Sequence, residues 1–600
     1  MKCSFSLSGL VSALLLFGIA ACGGSSGDHV AAREIVVQPE VRHSTDGLLS
    51  TTLEAVIATN TVLDVDAGLE KIIESTTYEG QLIGPTLRLK PGDRLEIDIV
   101  NNLPPNPDQV RQGAFPHEPY TINLHTHGLT VTPQGIGDNP FRHMLPGTSN
   151  DFAVDIPDFH PAGTFWYHPH KHGSVAFQFF GGMAGALIID GGPGTIDAVP
   201  EISAAEDILL AFQGIRVDAN GQVPWLNTEA TQFARNGVYS NYIDSTIHLT
   251  TNGVTAPTIN MRPDEVQRWR LLNAASGLSM ALTMQETEFH IIAIDGLSVP
   301  EILTLPVGSP LILGAGNRTD VLVKAPAAGT YLLQAIDTGD IPYSVSPQGV
   351  APGIRNVRIG GDFPNPTFPV TLATIVVDGQ AMDMDLPDNL LPERNDPIST
   401  ADLLAATPDA RRTVAFEICG KKGDMADPAN RLPSCEFFFD RYDADYWGGL
   451  PFNNALMMRD ADDVGVPIDP ANPTGPHTDY QKDGLFNHEE PLFDDLRGGN
   501  IEEWTVVNRN FSDHSFHIHQ NPFLLTHING EPLPIPEWRD TILVPSAVGG
   551  NGNINDAVYG TVTFRTYIHP DFVGEILMHC HVLTHEDFGM MQKLEIVPAN

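Results

Sequence analysis

The sequence predicts an all-β protein made of three consecutive β-sandwich domains, and three observations lead to this prediction. The chain has 600 residues, too many for one core, and a prior of roughly 150 residues per domain allows three or four domains. Glycine (55 residues) and proline (48) are frequent and charged residues make up only 18%, which favours a many-turned β protein over a helical bundle. Two sequence patterns also recur three times each, in the same order, as expected of repeated domains.

The first pattern is a turn, then a strand with alternating apolar positions, then an exit that contains asparagine. It is found in PTLRLKPGDRLEIDIVNNL (85–103), PTINMRPDEVQRWRLLNAA (257–275) and LRGGNIEEWTVVNRN (496–510). The second pattern is a loop leading into a strand rich in aromatic and aliphatic residues. It is found in PAGTFWYHPH (161–170), PAAGTYLLQA (326–335) and FVGEILMHCH (572–581).

The predicted domains span residues 46–195, 196–380 and 381–600. The boundaries near 195 and 380 coincide with GGPGTIDAVPE and DNLLPERNDP, which are typical of linkers. Helix signals are sparse, and residues 399–407 are predicted as one short helix. The stretch 459–490 is rich in Asp, Pro, Asn and Gly and is interpreted as a long loop inserted in the third domain.

Residues 1–21 are predicted to be a targeting segment, because Lys2 precedes a short apolar run that ends in small residues. Ile19-Ala20-Ala21-Cys22 resembles the bacterial lipobox, in which the cysteine is acylated, and residues 22–45 then form a tether. The expectation is an exported bacterial lipoprotein at the periplasm-facing membrane or cell surface, attached to the membrane only through Cys22. An ordinary signal peptide with an incidental cysteine is the alternative.

The formal net charge of −41 argues against a nucleic acid partner, because such a surface repels phosphate. It is consistent either with attraction of cationic substrates or metal ions or with the solubility of a secreted protein. Of the five cysteines, Cys419 and Cys435 can form a disulfide in an oxidising compartment or remain two free thiols.

Four histidine motifs carry the chemistry, and strand geometry explains their spacings. They are His125-Thr126-His127, His168-Pro169-His170, His514-x-x-His517-x-His519 and His579-Cys580-His581-x-x-x-His585. Side chains two residues apart on a strand point to the same face, so four same-face pairs give eight imidazoles. That number suits a cluster of several copper ions.

Cys580 lies between two cluster histidines and must face away from them. His514 has the opposite parity to His517 and can join Cys580 on that other face. With His585 and Met590 from the following loop, these residues make up a blue-copper electron-transfer set of two histidines, a thiolate and a weak axial methionine.

Taken singly, an HxH pair is more often structural, and two such pairs would also suit zinc. All four motifs together, with a cysteine and a methionine at these offsets, favour copper over both alternatives. Three further histidines, His143, His160 and His172, fit no ligand position and are expected to be solvent-exposed or to lie behind the ligands.

At these motifs the sequence resembles the three-domain multicopper oxidases, such as laccases, bilirubin oxidases, spore-coat laccases and bacterial copper oxidases. The resemblance covers nearly all of the mature chain. It implies three consecutive cupredoxin-like Greek-key β-sandwich domains and four copper ions, with a trinuclear site between the first and third domains. The second domain is implied to be copper-free, since its PAAGTYLLQA segment lacks histidine.

The resemblance also implies a role for each ligand. The implied ligands are His514, Cys580, His585 and Met590 for type 1 copper, His125 and His517 for type 2 copper, and His127, His168, His170, His519, His579 and His581 for the type 3 pair.

The implied reaction is four one-electron oxidations of a donor coupled to reduction of dioxygen to two waters. The donor would act near His585, the ligand that is usually exposed. Glu586 and Asp138 resemble the acids that supply protons at the trinuclear site, although the loop before Asp138 is longer than in some relatives. Met590 as axial ligand predicts a low to medium type 1 potential.

The expected donor is a phenol or an aromatic amine, and a monomer is the default expectation. A metallo-oxidase acting on Cu(I), Mn(II) or Fe(II) is the main alternative, although Met457 and Met458 are only an isolated pair and not a methionine-rich insert. A copper-binding or electron-transfer protein without oxidase activity would have an incomplete cluster set, and a copper nitrite reductase would have fewer ligands. Oxygen consumption with an added donor separates these classes.

Overall fold

The structure is a computed structural model that describes most of the chain. The described residues are 35–64, 68–106, 118–217, 246–337, 346–348, 366–390, 398–420, 454–460, 493, 495–550, 553–587 and 589–599. The predicted targeting segment, Cys435 and nearly all of the predicted loop 459–490 lie outside these ranges. Cys419 lies on a described strand, but its side chain does not belong to the described part.

The first sandwich consists of two sheets. Its strands are β1 (Val41–His43), β2 (Leu48–Asp64), β3 (Leu69–Tyr78), β4 (Thr86–Leu89), β5 (Arg94–Asn101), β6 (His125–His127), β7 (Thr148–Asp155), β8 (Gly163–His168) and β9 (Gly185–Ile189). One sheet has the order β1-β4-β9-β8-β6 and the other the order β3-β2-β5-β7. Alternate burial along β5 places Leu95, Ile97 and Ile99 in the core between them.

The second sandwich repeats this arrangement. Its strands are β10 (Glu206–Val217), β11 (Thr246–Thr251), β12 (Thr258–Met261), β13 (Val266–Asn273), β14 (Met280–Met284), β15 (Phe289–Ile294), β16 (Leu297–Leu305), β17 (Leu311–Leu313), β18 (Arg318–Lys324), β19 (Gly329–Ile336) and β20 (Val370–Val377). The sheets have the orders β11-β10-β13-β18-β15-β16 and β12-β20-β19-β14-β17.

The third sandwich has the same plan. Its strands are β21 (Ala410–Gly420), β22 (Asn454–Asp460), β23 (Leu496–Arg497), β24 (Ile501–Arg509), β25 (His514–Ile518), β26 (Phe523–Ile528), β27 (Glu531–Arg539), β28 (Thr541–Val544), β31 (Gly560–Tyr567), β32 (Gly574–Cys580) and β33 (Met591–Val597), with β29 (Val548–Gly549) and β30 (Ala557–Val558) as a separate ribbon. The main sheets have the orders β22-β21-β24-β31-β26-β27 and β23-β33-β32-β25-β28.

The two recurring sequence patterns occupy equivalent places in the three sandwiches. The second pattern forms β8, β19 and β32, each beside the equivalent strand β9, β20 or β33. In the first pattern, the exit asparagines Asn101, Asn273 and Asn508 are buried, and each side-chain amide donates to two backbone carbonyls. In each domain the asparagine therefore links the end of its strand to two later segments of the same domain, since a buried carbonyl needs a donor.

Helices are few and short in the described residues. They are Val175–Phe180, Pro200–Ala204, Thr400–Ala405 and Leu583–Asp587, with 3₁₀ turns at Ile196–Ala198 and Ile554–Asp556. The helix predicted at 399–407 is confirmed over Thr400–Ala405, and the side chain of Ser399 caps it by accepting from the Asp402 backbone N–H. None of the helices in the described ranges is long and apolar enough to cross a bilayer.

The predicted tether is wrong for residues 35–45, which belong to the folded body. Residues Val41–His43 form β1 and pair in parallel with β4, and the backbone N–H of Val36 donates to the Thr258 carbonyl at 2.8 Å. Gln38 exchanges two hydrogen bonds with the backbone of Leu209. Edge strands of the first two sandwiches leave backbone groups unpaired, and this segment pairs with them, which composition alone does not reveal.

A buried ion-pair network of the second sandwich is hydrogen-bonded to the first sandwich. Asp320 on β18 is 1% exposed and its carboxylate accepts from Arg268 at 2.7 Å and from Arg270 at 3.1 Å. Its other oxygen accepts from the hydroxyl of Thr164, on β8 of the first sandwich, at 2.7 Å. The position of the first domain against the second therefore depends on this carboxylate.

We expect Asp320→Ala to lower the free energy of unfolding by about 3–5 kcal/mol, because two buried guanidinium groups lose their shared carboxylate. The shift of the denaturant midpoint measures this effect. Asp155→Ala is a matched control, since Asp155 also pairs with an arginine, Arg94, at 2.8 Å but has a side chain that is 78% exposed. Its expected effect is about 0–1 kcal/mol. Equal shifts in the two variants would contradict the prediction.

Candidate metal centre

Four strands from the first and third sandwiches bring the histidine motifs together. In the first sandwich, β6 pairs with β8 and sets His125 opposite His168. In the third sandwich, β25 pairs with β32 and sets His517 opposite His579. Ring contacts then cross between the domains, since His125 stacks on His519 with centroids 3.8 Å apart and an interplanar angle of 8°. His127 stacks on His517 in the same way, also at 3.8 Å.

All eight imidazoles are buried to at least 99%. Burial, together with the neighbouring imidazoles, holds the pKa well below its usual value for His125, His127, His168, His517, His519 and His581. Burial also lowers the pKa of His170, to about 4. Neutral imidazoles keep a lone pair, which is the form that binds a metal ion.

In three of these rings, one nitrogen contacts a protein oxygen outside the cluster and the other has no hydrogen-bond partner among the described residues. Nδ1 of His125 lies 3.0 Å from the Asp138 carboxylate, Nδ1 of His168 lies 2.9 Å from the Pro169 carbonyl, and Nδ1 of His517 lies 2.8 Å from the Asp540 carbonyl. Nε2 of each of these three rings has no hydrogen-bond partner among the described residues. Ligands of protein-bound metals have this arrangement, because the outer contact fixes the tautomer and the ring orientation.

Three further ring nitrogens converge on one another. Nε2 of His170 lies 3.1 Å from Nε2 of His579 and 3.1 Å from Nε2 of His519. His581 completes the set, with its ring centroid 4.9 Å from that of His127 and 5.4 Å from that of His579. Buried nitrogens that face each other at such distances need a shared cation or a proton. The residues present therefore fit several copper ions.

A second donor group lies on the other face of β32. Sγ of Cys580 is 3.4 Å from Nδ1 of His514 and 3.7 Å from Nδ1 of His585, and the two histidine nitrogens are 3.1 Å apart. Met590 is fully buried and its backbone carbonyl accepts from the Cys580 N–H at 2.9 Å. A thiolate with two imidazoles fits a copper ion better than a hard cation, and Met590 is the candidate for a weak axial ligand.

His585 is buried, with only 2% exposed, so the exposed position implied by the family resemblance is wrong for this residue. All five residues of its helix, Leu583–Asp587, are buried. The helix start is fixed to the second sandwich, since the Leu583 N–H donates to the Ser276 carbonyl at 2.8 Å. Asp587 fixes the helix end to the first sandwich by accepting from the N–H groups of Val175 and Ala176.

Both predicted acids contact the histidine cluster. The Glu586 carboxylate lies 3.0 Å from Nδ1 of His579 and 3.4 Å from Nδ1 of His170. Burial alone would raise the pKa of Glu586, but these two histidines hold it below its usual value. Asp138 contacts His125 and accepts from the Thr126 N–H at 3.2 Å, and burial raises its pKa to about 7.

Sequence reasoning missed Asp540, Thr541 and Arg318. Oδ1 of Asp540 lies 3.3 Å from Nε2 of His127, and the Thr541 hydroxyl lies 3.1 Å from that same nitrogen. Arg318 donates to both carboxylate oxygens of Asp540, at 2.8 and 2.5 Å. The local sequence around these residues is that of ordinary strand ends, and no spacing relates them to the histidine motifs.

The three histidines excluded as ligands belong to none of the metal-binding groups formed by the described residues. His143 is solvent-exposed, which is one of the two expected positions, and His172 is partly buried. His160 is 3% exposed and accepts from the Thr130 N–H at 3.2 Å, so it supports the loop that follows His127.

Comparison with known proteins agrees with this geometry. Three family models, each described as multicopper oxidase, match residues 69–193, 218–350 and 467–600. The chain belongs to the multicopper oxidase family. The three matches follow the order of the three sandwiches, and together they cover well over half of the sequence.

Individual proteins resemble this multicopper oxidase chain only at low sequence identity. The cell division protein FtsP of Actinobacillus succinogenes is 28% identical over 265 residues, which is 44% of this chain and 50% of that protein, so the match spans half of its length. A multicopper oxidase from Campylobacter jejuni, described as a metallo-oxidase, superposes with a TM-score of 0.63 at 21% identity, covering 94% and 96% of the two chains. A Pediococcus acidilactici laccase gives 0.62 at 19% identity, covering 94% of each. These structures share the fold.

Proposed function

We propose that this chain is a copper-dependent oxidase that couples four one-electron oxidations of a donor to the four-electron reduction of dioxygen to water. The observation that carries the proposal is strand β32. Its Cys580 faces His514 and His585, whereas its neighbour His579 faces the histidine cluster. Copper ions held there would take electrons singly from the donor and deliver them to dioxygen.

The proposed ligand assignment uses four copper ions. Type 1 copper is assigned to His514, Cys580, His585 and Met590, type 2 copper to His125 and His517, and the type 3 pair to His127, His168, His170, His519, His579 and His581. The unpartnered Nε2 atoms of His125, His168 and His517 support this assignment. So does the near-complete burial of the cluster, because it keeps the imidazoles neutral and able to bind a metal ion.

Glu586 and Asp138 are the proposed acids for proton delivery. Each carboxylate is fully buried and within 3.0 Å of a cluster histidine. Carboxylates at this distance can orient the imidazole rings and hold a proton beside the reacting oxygen.

Family membership alone does not decide the activity, since one curated relative is named a cell division protein. The complete ligand set is therefore the stronger argument for an oxidase. For the donor we propose a phenol or an aromatic amine, with Cu(I), Mn(II) or Fe(II) as the alternative. The lipid anchor at Cys22, export and the monomeric state remain predictions.

The test is oxygen uptake by the copper-loaded protein with a panel of donors. We expect about four copper ions per chain, four donor molecules oxidised per dioxygen and no accumulated peroxide. The same protein stripped of copper is the control. Copper binding without oxygen uptake on any donor would overturn the oxidase proposal, and faster turnover of Cu(I), Mn(II) or Fe(II) than of phenols would overturn the donor class.

A further inference from the structure

The second sandwich supplies no proposed ligand, yet one of its turns lies against the histidine cluster. The turn 314–317 leads into β18, which begins at Arg318. Gly316 has a φ of +86°, and a Cβ there would lie 2.9 Å from the ring of His581. The backbone of the second domain thus lies so close to a cluster imidazole that only glycine fits at this position.

Arg318, directly after this turn, is fully buried and contacts both other domains. Its guanidinium donates to the Thr164 carbonyl of the first sandwich at 3.1 Å and to both oxygens of Asp540 of the third. The same Asp540 contacts Nε2 of His127 through Oδ1 and Nδ1 of His517 through its carbonyl. Two histidines from different domains are therefore held by one residue, whose position Arg318 sets.

The neighbouring residue Asn317 strengthens this connection. Its amide donates to the Thr541 carbonyl at 2.8 Å and to the carboxylate of Asp295. The Thr541 hydroxyl lies 3.1 Å from Nε2 of His127 and 3.1 Å from Nδ1 of His517. Both histidine contacts thus depend on a strand end, Asp540-Thr541, that the second domain fixes at two points.

We propose that Arg318 is a positioning residue for the trinuclear copper site, acting through Asp540 on His127 and His517. This inference rests on the proposed function. The planar fork of arginine holds the Asp540 carboxylate at two points, which a lysine ammonium does not reproduce. The copper-free domain thus determines the geometry of a site to which it gives no ligand.

Arg318→Lys tests the proposal, with Arg268→Lys as the matched control. Arg268 is a buried arginine of the same domain, 4% exposed, that also bridges two carboxylates, at 2.6 and 2.7 Å, but it contacts no cluster residue. Each copper-loaded variant is measured for copper content, type 2 copper electron paramagnetic resonance, type 1 absorption and oxygen uptake.

We expect Arg318→Lys to weaken type 2 copper binding or oxygen uptake by about 10–100-fold and to alter the type 2 resonance, with the type 1 absorption unchanged. Arg268→Lys should leave the resonance unchanged. Asp540→Asn alone provides a second measurement if Arg318→Lys does not fold, and the two substitutions are combined if it does. Asp540→Asn should alter the same resonance, and the double variant should be no worse than the single ones.

The positioning role is overturned if the type 2 resonance is unchanged in Arg318→Lys or in Asp540→Asn. It is also overturned if Arg268→Lys changes the resonance equally, because the effect would then be general destabilisation. A wild-type protein that takes up no copper overturns the proposed function itself, which separates that failure from a failure of the positioning role.

Discussion

Cys580→Ser is expected to abolish donor-dependent oxygen uptake, with a loss of about 10³-fold or more, and to remove the intense type 1 absorption. The hydroxyl of serine is a poor ligand for the soft copper ion that the thiolate would hold, and Cys580 connects the His514–His585 face of β32 to the cluster face. The side chain is fully buried and serine has nearly the same shape. We therefore expect the fold and the copper of the histidine cluster to remain.

Met590→Leu is the control for this prediction. It changes the same site but keeps the thiolate, so the blue absorption should persist while the type 1 potential rises. Oxygen uptake by Cys580→Ser at a rate near that of the wild type would rule out the proposed electron entry. Loss of cluster copper in that variant would show that the two sites are not independent.

Glu586→Gln is expected to lower oxygen uptake by about 10²-fold without loss of copper. The carboxylate lies between Nδ1 of His170 and Nδ1 of His579, and neither of its oxygens has a hydrogen-bond donor in suitable geometry among the described residues. Glutamine removes the negative charge and presents an N–H group to one of these ring nitrogens. Steady-state oxygen uptake and copper content measure the effect.

Asp587→Asn is the matched control for Glu586→Gln. Asp587 is the next residue and equally inside the helix Leu583–Asp587, but its carboxylate accepts from backbone N–H groups of Val175–Phe180. Asparagine removes the charge of this side chain but keeps one oxygen that can accept from these N–H groups, and it touches neither His170 nor His579. Equal losses in the two variants would mean that Glu586 acts only through packing.

Much of the candidate site could be predicted because the relevant rules are local. The two-residue period of a strand sets which side chains share a face. This rule predicts that the side chains of Cys580 and His579 point to opposite faces of β32. The structure agrees, since Sγ of Cys580 contacts His514 whereas His579 contacts His170. The repeated turn and strand patterns likewise indicated three domains, because each exit asparagine bonds only to its own domain.

The contacts that could not be predicted from the sequence depend on how the three domains pack against one another. His127 and Asp540 are separated by 413 residues in sequence, and Arg318 and Asp540 by 222. No periodicity connects residues that meet across an interface, so their contacts follow only from the relative placement of rigid sandwiches. The same reason explains the burial of His585 and the pairing of residues 35–45, each of which is covered or paired by another part of the chain.

The sequence by itself thus determined the fold class, the candidate ligand residues and their separation onto two faces of one strand, because strand geometry is a local property. Only the tertiary structure decided which other side chains contact and orient those imidazole rings. Asp540, Thr541 and Arg318 acquire a role because three domains pack around one buried cluster, where every polar atom must find a partner or a metal ion.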